Sequence, residues 1–355
     1  MKKIRVMIVE DSRVVREFLE QMIEQDPRLE VAAAVASAEE ALKRLNDVSP
    51  DVISMDIRLP GMNGLEATQI IMRDKPTPIV VVAASVDSED LSISMNALGF
   101  GALAIVEKPM MTTYREYQNL ANHLCTQLVL MSQVKVIRQR FAAPRRIDGN
   151  LPQGNGSPLR ATGPFHLVGI VASTGGPAAL RKLLGALDPR FPLPIALVQH
   201  ISDGFLESFV SWLGGGCPFR VVIPRESEMP LPGTVYVAPA GRHLCIEHGV
   251  WHLDAGNPVS SQRPSGTILF RSMAQSLGAR ALGVLLTGMG EDGAVGLKEL
   301  RDAGGYTIAE DESTAVVFGM PAAAARIGAV CELLPLPQIS HRLEQLSPAS
   351  LENRA

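Results

Sequence analysis

Leu167-Val-Gly-Ile-Val-Ala-Ser173-Thr-Gly-Gly-Pro177, Ile195-Ala-Leu-Val-Gln-His200 and Ala281-Leu-Gly-Val-Leu-Leu-Thr-Gly-Met-Gly-Glu-Asp292-Gly293 are three apolar runs that end in polar, reactive residues. Each reads as a buried strand followed by a turn, because four to six consecutive apolar residues bounded by Gly and polar groups suit a strand covered on both faces. In an open parallel sheet such strand ends meet at one crevice, where ligands and catalytic groups collect. A hydroxyl, an imidazole and a carboxylate delivered there in the order Ser173, His200, Asp292 are the parts of a nucleophilic hydrolase. The glycines after Ser173 permit a tight turn into Ala178-Ala-Leu-Arg-Lys-Leu-Leu184, a helix start that would also suit an anion. Neither a G-x-G-x-x-G nor a P-loop lysine is present, so nucleotide binding ranks below catalysis. Val171 occupies the first Gly of a Gly-x-Ser-x-Gly elbow, and the order Ser-His-Asp is not that of the α/β-hydrolases.

Outward from these strands the chain divides in two. From Arg5 to about Pro109, the runs Val6-Met-Ile-Val9, Val31-Ala-Ala-Ala-Val35, Val52-Ile-Ser-Met55, Ile79-Val-Val-Val82 and Ala104-Ile-Val106 alternate with helical periodicity. Five strands separated by helices imply a five-stranded, parallel, doubly wound α/β domain. Thr112 to Phe141 is continuously helical in pattern, and Ala142 to Gly163 has the Pro, Gly, Asn and Ser density of a linker. The expected divisions are 1–125 for the first domain, 126–163 for a linker with a helical first half, 164–346 for a second doubly wound, mostly parallel α/β domain, and 347–355 for a tail.

Composition narrows the function classes. At 355 residues there is room for two cores. A net charge of −4 provides no footprint for nucleic acid or an anionic membrane, and Arg138, Arg140, Arg145 and Arg146 read as a solvated hinge. Cys125, Cys217, Cys245 and Cys331 lack paired spacing, as expected in a reducing cytosol. No leader and no apolar run of the roughly 18 residues needed to span a bilayer is evident, so a cytoplasmic protein without membrane insertion is expected; a monomer is expected as well. His243, His248 and His252 with Cys245 lie in a stretch that alternates like a hairpin turning near His248-Gly249, and their spacing is not that of a zinc site. His123 and His341 fall on helical stretches. For the acid, Glu291 and Asp292 are adjacent, and spacing does not choose between them.

In the first domain Glu10-Asp11 follow the first strand, Asp56 the third, and Lys108-Pro109 the fifth. Three carboxylates at strand ends suit a hard divalent cation such as Mg²⁺, and Lys108 adds a point charge for a phosphoryl group. Residues 1–125 thereby resemble a response-regulator receiver domain. The resemblance implies Asp56 as phosphoacceptor, Glu10, Asp11 and Asp56 at the Mg²⁺ site, and Lys108 as the phosphoryl contact. Ala83 stands where receivers carry Ser or Thr, with Ser85 two residues on, and Ile105 where they carry the switch aromatic.

Residues 165–345 resemble the chemotaxis protein-glutamate methylesterase/glutamine deamidase (CheB) family through Ala172-Ser-Thr-Gly-Gly-Pro177, Gln199-His200, Val235-Tyr-Val-Ala-Pro239, Arg263-Pro-Ser265, Thr287-Gly-Met-Gly-Glu-Asp-Gly293 and Val317-Phe-Gly-Met-Pro321. The resemblance implies Ser173 as nucleophile, His200 as general base, Asp292 as its orienting carboxylate, the Met289 amide as an oxyanion donor and Thr174 as the nucleophile's neighbour. It also implies a methyl-accepting receptor as substrate, a chemotaxis-type histidine kinase as phosphodonor, and no cofactor for the ester hydrolysis. The alternatives are a phosphorylation-dependent binding module on a degenerate hydrolase and a methylesterase of a pathway outside chemotaxis. Ile201, Thr267, Glu310 and Ala322 depart from the family pattern; they are expected to leave the triad untouched and to alter receptor recognition.

Overall fold

The computed structural model describes residues 2–83, 95–98, 100–108, 114–134, 136 and 165–347. Ser85, Pro109, linker residues 137–163 and the tail from 348 lie outside them.

The first sheet comprises β1 (Ile4–Val9), β2 (Leu29–Val35), β3 (Val52–Asp56), β4 (Ile79–Ala83) and β5 (Ala104–Glu107), ordered β2-β1-β3-β4-β5 with every pair parallel. All residues of β3 and β4 are buried, the consequence of helices on both faces. Connections leave β1 and β3 in opposite directions across the sheet, so the crevice where the strand order reverses lies beyond Val9 and Asp56. The helices start where the sequence supplies caps: Ser12, Ser37 and Asn63 each accept a hydrogen bond from the amide three residues on.

At the turn after β3 the backbone is close-packed. The Gly64 N–H donates to Ile57 O at 3.0 Å, and a Cβ on Gly64 would sit 1.9 Å from the Asp56 carbonyl oxygen. Backbone cannot yield as a flexible side chain would. Gly64→Ala is therefore expected to destabilise this domain by about 1–3 kcal/mol, read as a lower urea midpoint at unchanged slope; an unaltered midpoint would contradict the packing described.

The helix Tyr114–Met131 passes through residue 125, and Leu128 and Met131 belong to the same buried cluster as Val6, Ile8 and Leu19. The boundary at 125 thus falls inside an element of the first domain, because the apolar spacing Leu124, Leu128, Met131 continues to face the sheet. The helix closes at Met131 with a turn, Gln133 N–H to Leu130 O at 3.1 Å, earlier than the continuous pattern to Phe141 implies.

The second sheet has seven strands: β6 (Leu167–Ala172), β7 (Ile195–Gln199), β8 (Arg220–Val222), β9 (Thr234–Val237), β12 (Ala281–Leu285), β13 (Tyr306–Glu310) and β14 (Glu332–Leu334). Its order is β14-β13-β12-β6-β7-β9-β8, again parallel throughout. From β6 the chain builds β7, β9 and β8 to one side, then crosses to β12, β13 and β14 on the other. The switch point is therefore the gap between β6 and β12, flanked by β7. The hairpin β10 (His243–Glu247) and β11 (Val250–Asp254) turns over His248-Gly249 as its alternation implies. It packs Leu244, Ile246 and Trp251 on the helix Gly266–Ser276 through Phe270 and Met273. Full burial of each such side chain is worth roughly 1.5–3 kcal/mol, which fixes that helix, and its N-terminus, against the sheet.

Candidate active site

Ser173 follows β6, His200 follows β7, and Thr287 to Asp292 follow β12, so the three sequence-predicted residues reach one crevice. The ladder carries on past the strands: Ser173 N–H to Thr287 O at 3.0 Å and His200 N–H to Ala172 O at 3.0 Å. The Gln199 side-chain amide donates to both Ser173 O and His200 O at 2.9 Å, tying the two turns together. Gly288 passes so close that a Cβ there would lie 2.7 Å from Ser173 Cβ, which is why the second turn carries glycine. The crevice encloses about 520 Å³ and is lined by Ser173, Thr174, His200, Met289 and Asp292 among others.

Asp292, 3% exposed, is the most constrained group in the site, whereas neighbouring Glu291 is exposed. Its Oδ2 accepts from His200 Nε2 at 2.9 Å and from the Gly266 N–H at 2.7 Å. Its Oδ1 accepts from Ser265 Oγ at 2.6 Å and from the Thr267 N–H at 3.2 Å. Gly266 and Thr267 begin a helix, so the carboxylate sits at the positive end of the helix dipole. Ser265 occupies the N-cap position but makes no side-chain cap bond to its own helix; its hydroxyl is committed to Asp292, which caps the helix from outside. Burial alone would push this carboxyl up. The His200 hydrogen bond, the Ser265 hydroxyl and the Gly266 amide outweigh it and hold the group below the usual carboxylate range.

An ionised Asp292 can only accept, so the hydrogen between it and His200 belongs to Nε2. The lone pair then lies on Nδ1, which makes Nδ1 the basic nitrogen. Among the described residues no hydrogen bond reaches Ser173 Oγ, so the hydroxyl–imidazole contact is not formed in this arrangement; such contacts often tighten only with substrate present.

Thr267 and Glu310, expected to lie apart from the three candidate residues, contact Asp292 and the loop that carries it. Besides its amide bond to Asp292, Thr267 accepts from the Gly293 N–H through Oγ1 at 2.9 Å. Glu310 ends β13 fully buried and accepts from the Thr287 N–H at 2.8 Å, anchoring the loop that carries Met289 and Asp292. Burial pushes its carboxyl up. Thr267 lies 25 positions from Asp292 and Glu310 lies 23 from Thr287, and neither carries a local signal of its contact. Only the Arg263-Pro-Ser265 stretch was legible, without a role.

At the other switch point Lys108 Nζ lies 2.7 Å from Asp56 Oδ2 and 2.9 Å from Glu10 Oε2. Glu10, Asp11 and Asp56 present ligand oxygens within 4.8 Å of one another. Burial pushes Asp56 up; burial and then the Asp56 charge do the same to Glu10, while Lys108 opposes both. Burial would lower Lys108, but its bonds to the two carboxylates prevail and raise it. Ala83 ends β4, and its carbonyl accepts from the Lys108 N–H at 2.8 Å. Ile105, Leu103, His123 and Gln127 of this first domain line the same crevice as Ser173 and His200.

Known proteins resemble both halves of the chain. The family model described as CheB methylesterase matches residues 168–343, and that of the response regulator receiver domain matches residues 6–114. The chain is 54% identical over 351 residues to the protein-glutamate methylesterase/protein-glutamine glutaminase 2 of Paramagnetospirillum magneticum, covering 98% of each. It is 41% identical over 348 residues to the protein-glutamate methylesterase/protein-glutamine glutaminase of Nitrosospira multiformis, covering 97% of each. The crystal structure of the Thermotoga maritima CheB methylesterase catalytic domain aligns with a TM-score of 0.50 at 34% identity, covering 51% of this chain and 98% of that one.

Proposed function

The chain belongs to the CheB family of protein-glutamate methylesterase/protein-glutamine glutaminases, and on that premise we propose that it hydrolyses glutamate γ-methyl esters, and deamidates glutamines, on chemoreceptor helices with Ser173, His200 and Asp292. The observation that carries the triad is the clamped Asp292, which leaves His200 Nδ1 as the free base in the crevice lined by Ser173. Ser173 Oγ attacks the substrate γ-carbonyl carbon as its proton passes to Nδ1. The tetrahedral oxyanion is met by the Met289 N–H, which has no acceptor among the described residues. Collapse breaks the bond to the methoxy oxygen, which takes the proton from His200 and leaves as methanol. Water then attacks the acyl-enzyme, giving its proton to Nδ1, and Ser173 Oγ leaves with that proton. With glutamine the leaving group is ammonia. The test is methanol release from a methylated receptor by the wild type and by Ser173→Ala.

The receiver supplies the control. Asp56 accepts the phosphoryl group from a chemotaxis-type histidine kinase, and Lys108 pairs with a phosphoryl oxygen. Glu10, Asp11 and Asp56 fit Mg²⁺, since all three are hard oxygen ligands within mutual reach and two are buried with excess negative charge. Bound there, the cation would offset the negative charge of the transferred group. Ile105 and its neighbours restrict the crevice, and phosphorylation shifts the population towards an arrangement that frees it. A small phosphodonor is expected to raise methanol release by the wild type and to leave the Asp56→Asn rate where it was. Equal stimulation of both proteins would remove Asp56 from the pathway.

A further inference from the structure

We infer that His243, a residue outside the triad, positions the triad carboxylate through the turn that bears Ser265. The inference rests on Asp292 serving as that carboxylate.

His243 opens β10 and is 1% exposed. Its ring nitrogens face partners of opposite kind. The Asn257 carbonyl oxygen, 3.1 Å from Nε2, can only accept, so Nε2 bears the hydrogen. The Ser265 N–H, 3.1 Å from Nδ1, can only donate, so Nδ1 offers its lone pair. Only the neutral Nε2–H imidazole satisfies both. A buried ring with both nitrogens committed fixes the backbone at residue 265. From that short stretch come three of the four contacts to Asp292: the Ser265 hydroxyl and the Gly266 and Thr267 amides.

The hairpin that carries His243 is itself fastened to the same helix. Ile246 N–H donates to Ser272 Oγ at 3.0 Å, and Ser276 Oγ donates to Ile246 O at 2.6 Å. Hairpin, helix start and carboxylate therefore form one connected unit, with His243 as the link nearest the crevice. Its chemistry is that of an acceptor for one backbone amide; nothing requires it to touch the substrate.

Two polar substitutions separate that acceptor from general packing. Asn places its side-chain oxygen where Nδ1 lies and can keep the Ser265 contact while losing Asn257. Gln can reach Asn257 and loses Ser265. Both preserve polarity, so both are foldable controls for one another, and thermal unfolding measures any shared loss of stability. With methylated receptor, His243→Gln is expected to lower kcat by about 10- to 100-fold at a KM within about twofold, and His243→Asn to stay within about threefold. In an Asp292→Asn background, adding His243→Gln should cost less than about twofold, since the effect passes through the carboxylate. Equal kcat for the Asn and Gln variants, a change in KM alone, or a full multiplicative loss in the Asp292→Asn background would overturn the inference. Undiminished activity of Ser173→Ala would instead remove the triad reading itself, so the two failures are distinguishable.

Discussion

Ser173→Ala is expected to lower kcat for methyl ester hydrolysis by about 10⁴- to 10⁶-fold while leaving KM nearly unchanged. On the proposed mechanism the hydroxyl forms the covalent bond, so its loss removes a step and leaves the proposed oxyanion donor and the crevice in place. A residual rate above the uncatalysed one is therefore part of the expectation. Ser173 is half-buried, its backbone N–H and C=O are held by Thr287 and Gln199, and Ala can occupy the same turn without a new clash. Thermal unfolding should accordingly remain close to wild type. The measurement is release of labelled methanol, with ammonia release from a glutamine-bearing receptor as the parallel reading. Equal loss of both reactions indicates one nucleophile; a variant that still deamidates would assign the second reaction elsewhere.

Asp292→Asn is expected to be nearly as severe, with kcat reduced by about 10⁴-fold. Every contact to this carboxylate comes from a donor: His200 Nε2 and the Gly266 N–H on one oxygen, the Ser265 hydroxyl and the Thr267 N–H on the other. A carboxamide has only one oxygen. If its NH₂ takes the Oδ2 position it opposes the Gly266 N–H and reverses the His200 tautomer, protonating Nδ1 and removing the base. If it takes the Oδ1 position it opposes the Thr267 N–H. Either orientation leaves a buried donor unpaired, at a cost of about 1–3 kcal/mol in stability.

The same carboxylate has a signature in pH. Its folded-state pKa lies below the ordinary 3.8. The stability it contributes is therefore complete above that ordinary value and is lost as pH falls through the lower, folded-state value. Wild type should lose this share of its stability only in the acid range, and Asp292→Asn should lack it at every pH. Denaturant unfolding at neutral and acid pH checks the sign. A stability difference that persists unchanged into strong acid would mean that the carboxylate is not ionised in the folded protein.

Legibility differs along the chain for identifiable reasons. The strands were readable because full burial on both sides demands uninterrupted apolar runs, as in β4, β6 and β12. Strand-end polar residues were readable as site candidates because parallel topology delivers all strand ends of one kind to one edge. The end of the first domain was not: the apolar spacing through Leu128 and Met131 looks the same whether a helix packs on its own sheet or leads into a linker. Thr267 and Glu310 were expected to leave the triad untouched, because nothing in their neighbourhoods in the sequence points to Asp292 or Thr287. His243 drew notice only as a metal-ligand candidate, since a histidine's partners cannot be read from its flanks.

By itself, then, the sequence determined two doubly wound α/β domains, the strands that build them, and the placing of Ser173, His200, Asp56 and Lys108 at strand ends. Those features follow from local chemistry, the burial preference of short apolar runs and the turn preference of the residues after them. Only the tertiary structure decided that Asp292 rather than Glu291 faces inward, that His200 turns Nε2 towards it, and that Ser265 and His243 stand behind the carboxylate. Each of these depends on which donor meets which acceptor across gaps of 14 to 92 residues. Packing of the helix Gly266–Ser276 and the β10–β11 hairpin against the sheet makes those meetings, and no periodicity in the chain encodes them.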